Sequence, residues 1–286
     1  MKVCLTMKND TAQGILSAAC VAKRLRMLGI DVLLSEQDAL CLSDSPQGAV
    51  VCPSLDEAIA ASDVVVAVGG DGTIFHAAAA AMLHEKPVLG VNAGRLGFLA
   101  QAEGGDLSVL DDFAAGRYTV EERLVLEVEL VCGGHRSSCY AVNDAVICKP
   151  DFGHVAEIEV RCCGDLVGAY RSDGIIFATP TGSTAYSLSA GGPIADPAVD
   201  CIIMTPIAAH SLVARSIVFA SDKVLSVTAP NDLTNALYLI VDGQVIDAVT
   251  QGTTVTIRKS DCKTRFVCLE GQSFYYILNE KMKRRG

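Results

Sequence analysis

Basic residues are few and scattered. Against 33 Asp and Glu the 286-residue chain carries 23 Lys and Arg, a formal charge of −10, with an isoelectric point near 4.9. Electrostatic capture of nucleic acid or of an anionic membrane requires clustered cations, so neither is expected as a partner. The one basic cluster, Lys281-Met282-Lys283-Arg284-Arg285, is short and reads as a solvated tail or helix end. No apolar run approaches the roughly 20 residues of a membrane span. Met1-Lys2-Val3-Cys4-Leu5 leads into a strand pattern without a signal-peptide apolar region, and a cytoplasmic chain is expected. Twelve cysteines occur without a single C-x-x-C spacing, which argues against thiolate metal sites. Cys20, Cys52, Cys148 and Cys201 lie in apolar segments. Adjacent Cys162 and Cys163, on opposite faces of an alternating strand, read as buried structural thiols.

Several catalytic signatures are missing as well. There is no G-x-x-x-x-G-K-[ST] and no G-x-G-x-x-G after the first strand, which excludes an ordinary P-loop and the usual dehydrogenase fingerprint. There is no G-x-S-x-G elbow. The five histidines form no H-x-x-x-H or H-E-x-x-H group, and no protein-only metal site is expected.

What is present suits a folded protein of two parts. Half the residues are apolar and the charged fraction is ordinary, enough for a sizeable core, and the length favours two domains. Val3 to Met7 reads as a strand. Ile15, Ala18, Ala19, Ala22 and Leu25 then recur at helical spacing until Gly29. A strand follows at Asp31 to Ser35. Ser54-Leu55-Asp56-Glu57 has the capping-box pattern, Asp63 to Val68 is a strand, a helix starts at Thr73, and Pro87 to Asn92 is a further strand. Apolar strands alternating with helices indicate a Rossmann-like parallel sheet, with ligands at the carboxyl ends where Asp71 and Asn92 fall.

Around Gly116 the periodicity changes to two. Leu124 to Leu130 and Ala156 to Arg161 place charges at every second position, the mark of half-solvated strands. Further strands are expected at Val142 to Cys148, Gly174 to Ala178, Val224 to Ala229, Leu237 to Val241 and Thr253 to Arg258, with Asp242-Gly243 as a hairpin turn. The expected fold is thus an α/β domain over 1–115 followed by a β-rich, β-sandwich-like domain over 116–261.

Three segments carry chemistry. Gly69-Gly70-Asp71-Gly72-Thr73, between a strand and a helix, builds a phosphate site from Gly69, Gly70, Gly72 and Thr73: glycines admit positive φ and bare the backbone, and a helix N-terminus favours anions. A carboxylate there repels phosphate, so Asp71 makes sense as a group that takes a hydroxyl proton, orients the hydroxyl or holds a divalent ion. The bland alternative is a simple Asp-Gly turn. Thr179 to Pro193 contains seven hydroxyls, that of Tyr186 among them, which suit sugar hydroxyls and a flat base, with Thr184 and Ser189 bonding and Tyr186 stacking; the alternative is a loop that caps itself. Asn143-Asp144, polar in an apolar strand, needs partners, which a ligand, a turn or an internal network could supply.

With Gly69 to Thr73, Asn92-Ala93-Gly94-Arg95-Leu96-Gly97-Phe98-Leu99, Asn143-Asp144, Arg171-Ser172-Asp173-Gly174 and Thr179 to Pro193 in this order, the chain resembles the bacterial NAD kinases over nearly its whole length. The first motif is shared with lipid kinases; the long Thr179 segment is far more specific. The resemblance implies ATP-dependent phosphorylation of the 2′-hydroxyl on the adenosine ribose of NAD, giving NADP, with Mg²⁺ or another divalent ion. It makes Asp71 the catalytic aspartate. Gly72, Asn143, Asp144, Arg171, Asp173, Thr184, Ala185, Tyr186, Ser187, Leu188 and Ser189 line the dinucleotide site, with His76, His154, Ala208 and Gln244 at more variable contacts. Many relatives carry Glu where this chain has Asp144, which keeps the charge and shortens the reach. The resemblance also implies that 262–286 returns to the first domain and that subunits assemble as dimers or tetramers. Two other readings are a lipid kinase, which the lack of a membrane-contacting amphipathic stretch disfavours, and a non-catalytic NAD or NADP sensor. The donor could be ATP or polyphosphate and the acceptor NAD or NADH.

Overall fold

The computed structural model describes the whole chain except residues 43–47, 95–96, 104–105, 151–154, 212, 229–236, 271–272 and 286. It divides into two units, Met1–Glu122 with Lys263–Gly286, and Arg123–Cys262.

In the first unit, strand β1 (Lys2–Met7) leads to helix α1 (Ala12–Met27), whose N-cap Thr11 accepts a bond from the Gly14 amide. β2 (Asp31–Ser35), α2 (Glu36–Cys41), β3 (Val50–Cys52) and α3 (Leu55–Ala60) follow, then β4 (Val64–Gly69), α4 (Asp71–Met82), β5 (Pro87–Asn92), β6 (Ala100–Glu103) and α5 (Val109–Ala114). As the capping box predicts, the Ser54 hydroxyl accepts from the Glu57 amide at 3.1 Å. All pairings among β1 to β6 are parallel, in the order β5-β4-β1-β2-β3 with β6 also on β5. β4 is buried along its whole length, as a strand covered on both faces must be. Val64, Val66 and Val68 join Val3, Leu5, Leu89 and Val91 in one core with Ala18, Val21 and Leu25 of α1. Strand β7 (Thr119–Cys132) leaves this unit; strand β18 (Thr254–Cys268) and helix α7 (Phe274–Arg285) bring the chain back, and β18 pairs parallel to β5 at Arg265↔Pro87 and Phe266↔Val88.

The second unit is antiparallel. It holds β8 (His135–Ala141), β9 (Asp144–Cys148), β10 (Ala156–Cys162), β11 (Asp165–Ser172), β12 (Gly174–Ala178), a 3₁₀ turn (Thr181–Thr184) and a four-residue helix α6 (Tyr186–Ser189). β13 (Cys201–Ile207), β14 (Ile217–Ala220), β15 (Leu225–Thr228), β16 (Leu237–Val241) and β17 (Gln244–Val249) precede β18. One sheet runs β14-β13-β12-β9-β16-β17, while β11-β10-β15-β18 form another layer. The two-residue period decides which side chains meet. Ala145, Ile147, Ile175 and Phe177 face a core shared with Ile158, Val160, Val227 and Ile257, whereas Val146, Ile176, Ala178 and Ile203 pack on the opposite face. This is a β-sandwich-like arrangement. Cys163 departs from the buried pair expected: Cys162 ends β10 half-buried, and Cys163 is exposed at a turn with φ 51°.

Candidate functional site

Strand β4 delivers its chain end to the glycine turn, and Gly70, with φ −89°, caps α4 by accepting the Ile74 amide at 3.1 Å. Asp71 and Gly72 therefore lie in the first helical turn, two residues ahead of the expected start. Gly69, Gly70 and Gly72 do not have positive φ. Their bareness is what counts: a Cβ on Gly69 would sit 2.5 Å from Thr73 Oγ1, while Gly70 and Gly72 face open space. A cleft of about 500 Å³ opens beside them, lined by Lys8, Asn9, Gly70, Gly72, Thr73 and His76. Amides of a helix start, a positive dipole end and a nearby ammonium together favour an anion.

The Asp71 carboxylate is held from the loop after β5. Oδ2 accepts the Phe98 amide and Oδ1 the Leu99 amide, both at 3.0 Å. Gly97 must be glycine here, because a Cβ would come within 1.9 Å of Oδ1. Asn92, buried at the end of β5, accepts the Gly94 amide at 3.0 Å, and the Ala93 amide donates to the Gly69 carbonyl. Gly97, Phe98 and Leu99 thus brace Asp71; Arg95 and Leu96 lie outside the described residues. Lys281, read from sequence as part of a solvated tail or helix end, does lie in the closing helix α7, but it is not left to solvent: it pairs with Asp71 Oδ2 at 3.2 Å. Lys283 does remain exposed, paired with Glu280.

In the second unit the backbone of Val142 to Asp144 finds its partner inside the protein. Asp242, at φ 52° in the β16–β17 hairpin, accepts the amides of Val142, Asn143 and Asp144 at 2.8, 2.9 and 3.0 Å. Aspartate tolerates that left-handed backbone. Burial, with the Asp242 charge adding to it, pushes the Asp144 carboxyl up to about 7. Thr179 donates its amide to the Asn143 carbonyl and its hydroxyl to the Val142 carbonyl, and Gly182 lies so close that a Cβ would meet the Asn143 oxygen at 2.0 Å. Thr179 to Ser189 is therefore packed onto the Asn143–Asp144 segment. Within it, Ser183 bonds Ala195 and Ser187 bonds Thr205, so these two hydroxyls cap the fold, as the self-capping alternative has it. Thr184 donates to the Thr181 carbonyl. The Thr181 hydroxyl is buried with no partner among the described residues, a state costing about 1–3 kcal/mol that a ligand could relieve.

Tyr186 and Ser189 are exposed, Ala185 and Leu188 half-buried. Burial and the neighbouring Cys148, Asp144 and Asp173 raise the Tyr186 hydroxyl above its usual range. Asp173 is paired with Lys149 at 2.7 Å, a partner sequence reasoning missed. Arg171 lines a different cleft, of about 260 Å³, with Tyr170, Ser211 and Arg215, in which Thr184 to Ser189 take no part. Ala208 is exposed at φ 47°, Gln244 is exposed at the start of β17, and His76 is exposed on α4 against the Phe75 ring. His154 lies outside the described residues. Among those residues no cluster of three or more His, Cys, Asp or Glu is arranged to hold a metal ion, and no helix is long and apolar enough to cross a membrane.

Two solved structures share this architecture. A yeast NADH kinase complexed with NADH matches with a TM-score of 0.88 at 24% identity, covering 99% of this chain and 87% of that one. An NAD kinase from Archaeoglobus fulgidus in complex with ATP matches with a TM-score of 0.75 at 24% identity, over 99% of both chains. The chain has the fold of the nicotinamide-dinucleotide kinases. Family models for the ATP-NAD kinase N-terminal and C-terminal domains match residues 50–118 and 142–269. The NAD kinase of Symbiobacterium thermophilum is 37% identical over 286 residues, 98% of each chain, and that of Heliobacterium modesticaldum 40% identical over 234 residues, 81% of this chain and 82% of that one. The chain belongs to the NAD kinase family.

Proposed function

We propose that the protein transfers the terminal phosphoryl group of ATP to the 2′-hydroxyl on the adenosine ribose of NAD, with Asp71 as the catalytic group. The observation that carries this reading is the Asp71 carboxylate itself, fixed by two backbone amides in the first turn of α4. Oδ1 accepts one of those bonds and keeps acceptor capacity for a hydroxyl. There it accepts the 2′-hydroxyl proton or orients that hydroxyl for attack. The bare amides of the Gly69–Thr73 turn offset charge on the transferring phosphoryl, so the chemistry is mostly positioning and electrostatics. The divalent ion enters as part of the MgATP substrate.

Asn143, Asp144, Asp173, Arg171, Thr184 to Ser189, His76, His154, Ala208 and Gln244 hold the dinucleotide in this reading, with Tyr186 against the adenine. Support comes from the orphaned Thr181 hydroxyl, the exposed Tyr186 ring and the packing of this segment on Asn143–Asp144. A homodimer or homotetramer working in the cytoplasm completes the proposal. The test is direct: purified protein is incubated with ATP or polyphosphate, Mg²⁺ and NAD or NADH, and NADP and NADPH are measured. NADP formed from NAD and ATP supports the assignment. Dinucleotide binding without product returns the sensor reading.

A further inference from the structure

Helix α7 carries Phe274, Ile277 and Lys281 at i, i+3 and i+7, a spacing that puts them on one face. Ile277 is buried and the Phe274 ring tilts against Phe98 with centroids 6.2 Å apart. That docking brings the Lys281 ammonium to 3.8 Å from the centroid of the Phe98 ring and 3.2 Å from Asp71 Oδ2. The same Phe98 donates its amide to the same oxygen. Amide and ammonium thus converge on one carboxylate oxygen, with the Phe98 ring against the ammonium, and four-fifths of the Lys281 side chain is screened from solvent.

We propose that Lys281 is a positioning residue for phosphoryl transfer: it locks the Asp71 carboxylate through Oδ2, leaves Oδ1 for the acceptor hydroxyl, and offsets the carboxylate charge that an anionic phosphoryl group must approach. The physical need is plain. A carboxylate repels the group being transferred, and a cation fixed within 4 Å in a partly desolvated setting cancels most of that repulsion. The Phe98 face keeps the ammonium in place without consuming its hydrogen-bonding capacity.

This inference rests on the proposed kinase reaction, and the test separates the two. In the full-length protein, Lys281→Met removes the charge with little change in bulk. It is expected to lower kcat about 30-fold, while the dissociation constant for NAD stays within about twofold. Lys281→Arg restores the charge and is expected to recover at least about a third of the lost rate. A merely structural role would lower both variants alike or weaken NAD binding with kcat. If Lys281→Met does not fold, Phe98→Leu, which keeps the amide and removes the ring, is expected to lower kcat about threefold with NAD binding unchanged. Wild-type kcat in the folded variant, or no recovery by arginine, overturns the role of Lys281 and leaves the kinase assignment standing. Wild-type protein that binds NAD and forms no NADP overturns both.

Discussion

Replacing Asp144 with Asn changes the stability of the unliganded protein by an amount that moves in the variant's favour as pH rises. The Asp144 carboxyl is pushed up to about 7 by burial, with the Asp242 charge adding to it, from an ordinary value of 3.8. The sign follows from linkage. A carboxyl that holds its proton more tightly when folded leaves stability untouched below the unfolded value. Its penalty then grows as pH rises toward the folded value and is constant above it. Three pH units correspond to a penalty of about 4 kcal/mol at about pH 8, falling to about 1 kcal/mol at about pH 4.5. Asparagine carries no such term. Its buried amide has a desolvation cost of about 1–3 kcal/mol, but that cost does not change with pH and cancels in the comparison. Urea unfolding of wild type and Asp144→Asn at both pH values gives the check. The stability difference should move in favour of the variant by about 3 kcal/mol on going from acid to alkaline solution. A difference that stays flat to within about 1 kcal/mol would refute the reasoning, because it would mean that Asp144 is charged in the fold at no cost.

Asp71→Ala should lower kcat about a thousandfold and leave the dissociation constant for NAD within a few-fold; near-normal kcat in a coupled NADPH assay would show Asp71 misassigned. Gly97→Ala drives a methyl into Asp71 Oδ1, 1.9 Å away. It should cost about 100-fold in kcat, since displacements of an ångström have that effect, and an unchanged rate would show that the carboxylate moves freely. Gly182→Ala meets the backbone oxygen of Asn143 at 2.0 Å, which cannot swing aside as a side chain would. A loss of about 1–3 kcal/mol in thermal unfolding and a raised KM for NAD are expected; a stable variant with normal KM would count against the packing described.

Elements bounded by turn chemistry were legible in the sequence to the residue. β2 between Gly29 and the Ser35 cap, β5 from Pro87 to Asn92, and β12 and β16 in the second unit all match the expected limits. The sequence pattern ends β18 at Arg258, whereas the strand runs to Cys268, because the next buried positions after Ile257 are Ser260 and Thr264, which carry no apolar signal, and the buried pair Phe266-Val267 comes only after them. Asp71 was singled out by its company of glycines, and Asn143–Asp144 by polarity in an apolar run. What holds them was not visible. Asp242 acts across about a hundred residues, and its Asp-Gly pair looks like any hairpin turn. Lys281 sits 210 residues from Asp71, in a stretch whose charge concealed the spacing of Phe274, Ile277 and Lys281. Ser187 was indistinguishable by composition from the exposed hydroxyl of Ser189, since only the fold decides which of them meets Thr205.

The clamp that Asp242 places on Val142 to Asp144 sets an order of assembly. β9 lies between β12 and β16 in its sheet, so one of its neighbours is synthesised about thirty residues later and the other about ninety later. During synthesis at roughly 5–20 residues per second, the first edge can zip within seconds while the other waits, unpaired, for β16. Only when the hairpin arrives does Asp242 close a loop of about a hundred residues, a contact whose entropic cost delays it further. The strand that begins at Asp144 thus gains its second neighbour late, and a nascent chain halted before residue 237 would present that edge as a bare, sticky margin for chaperones to shield.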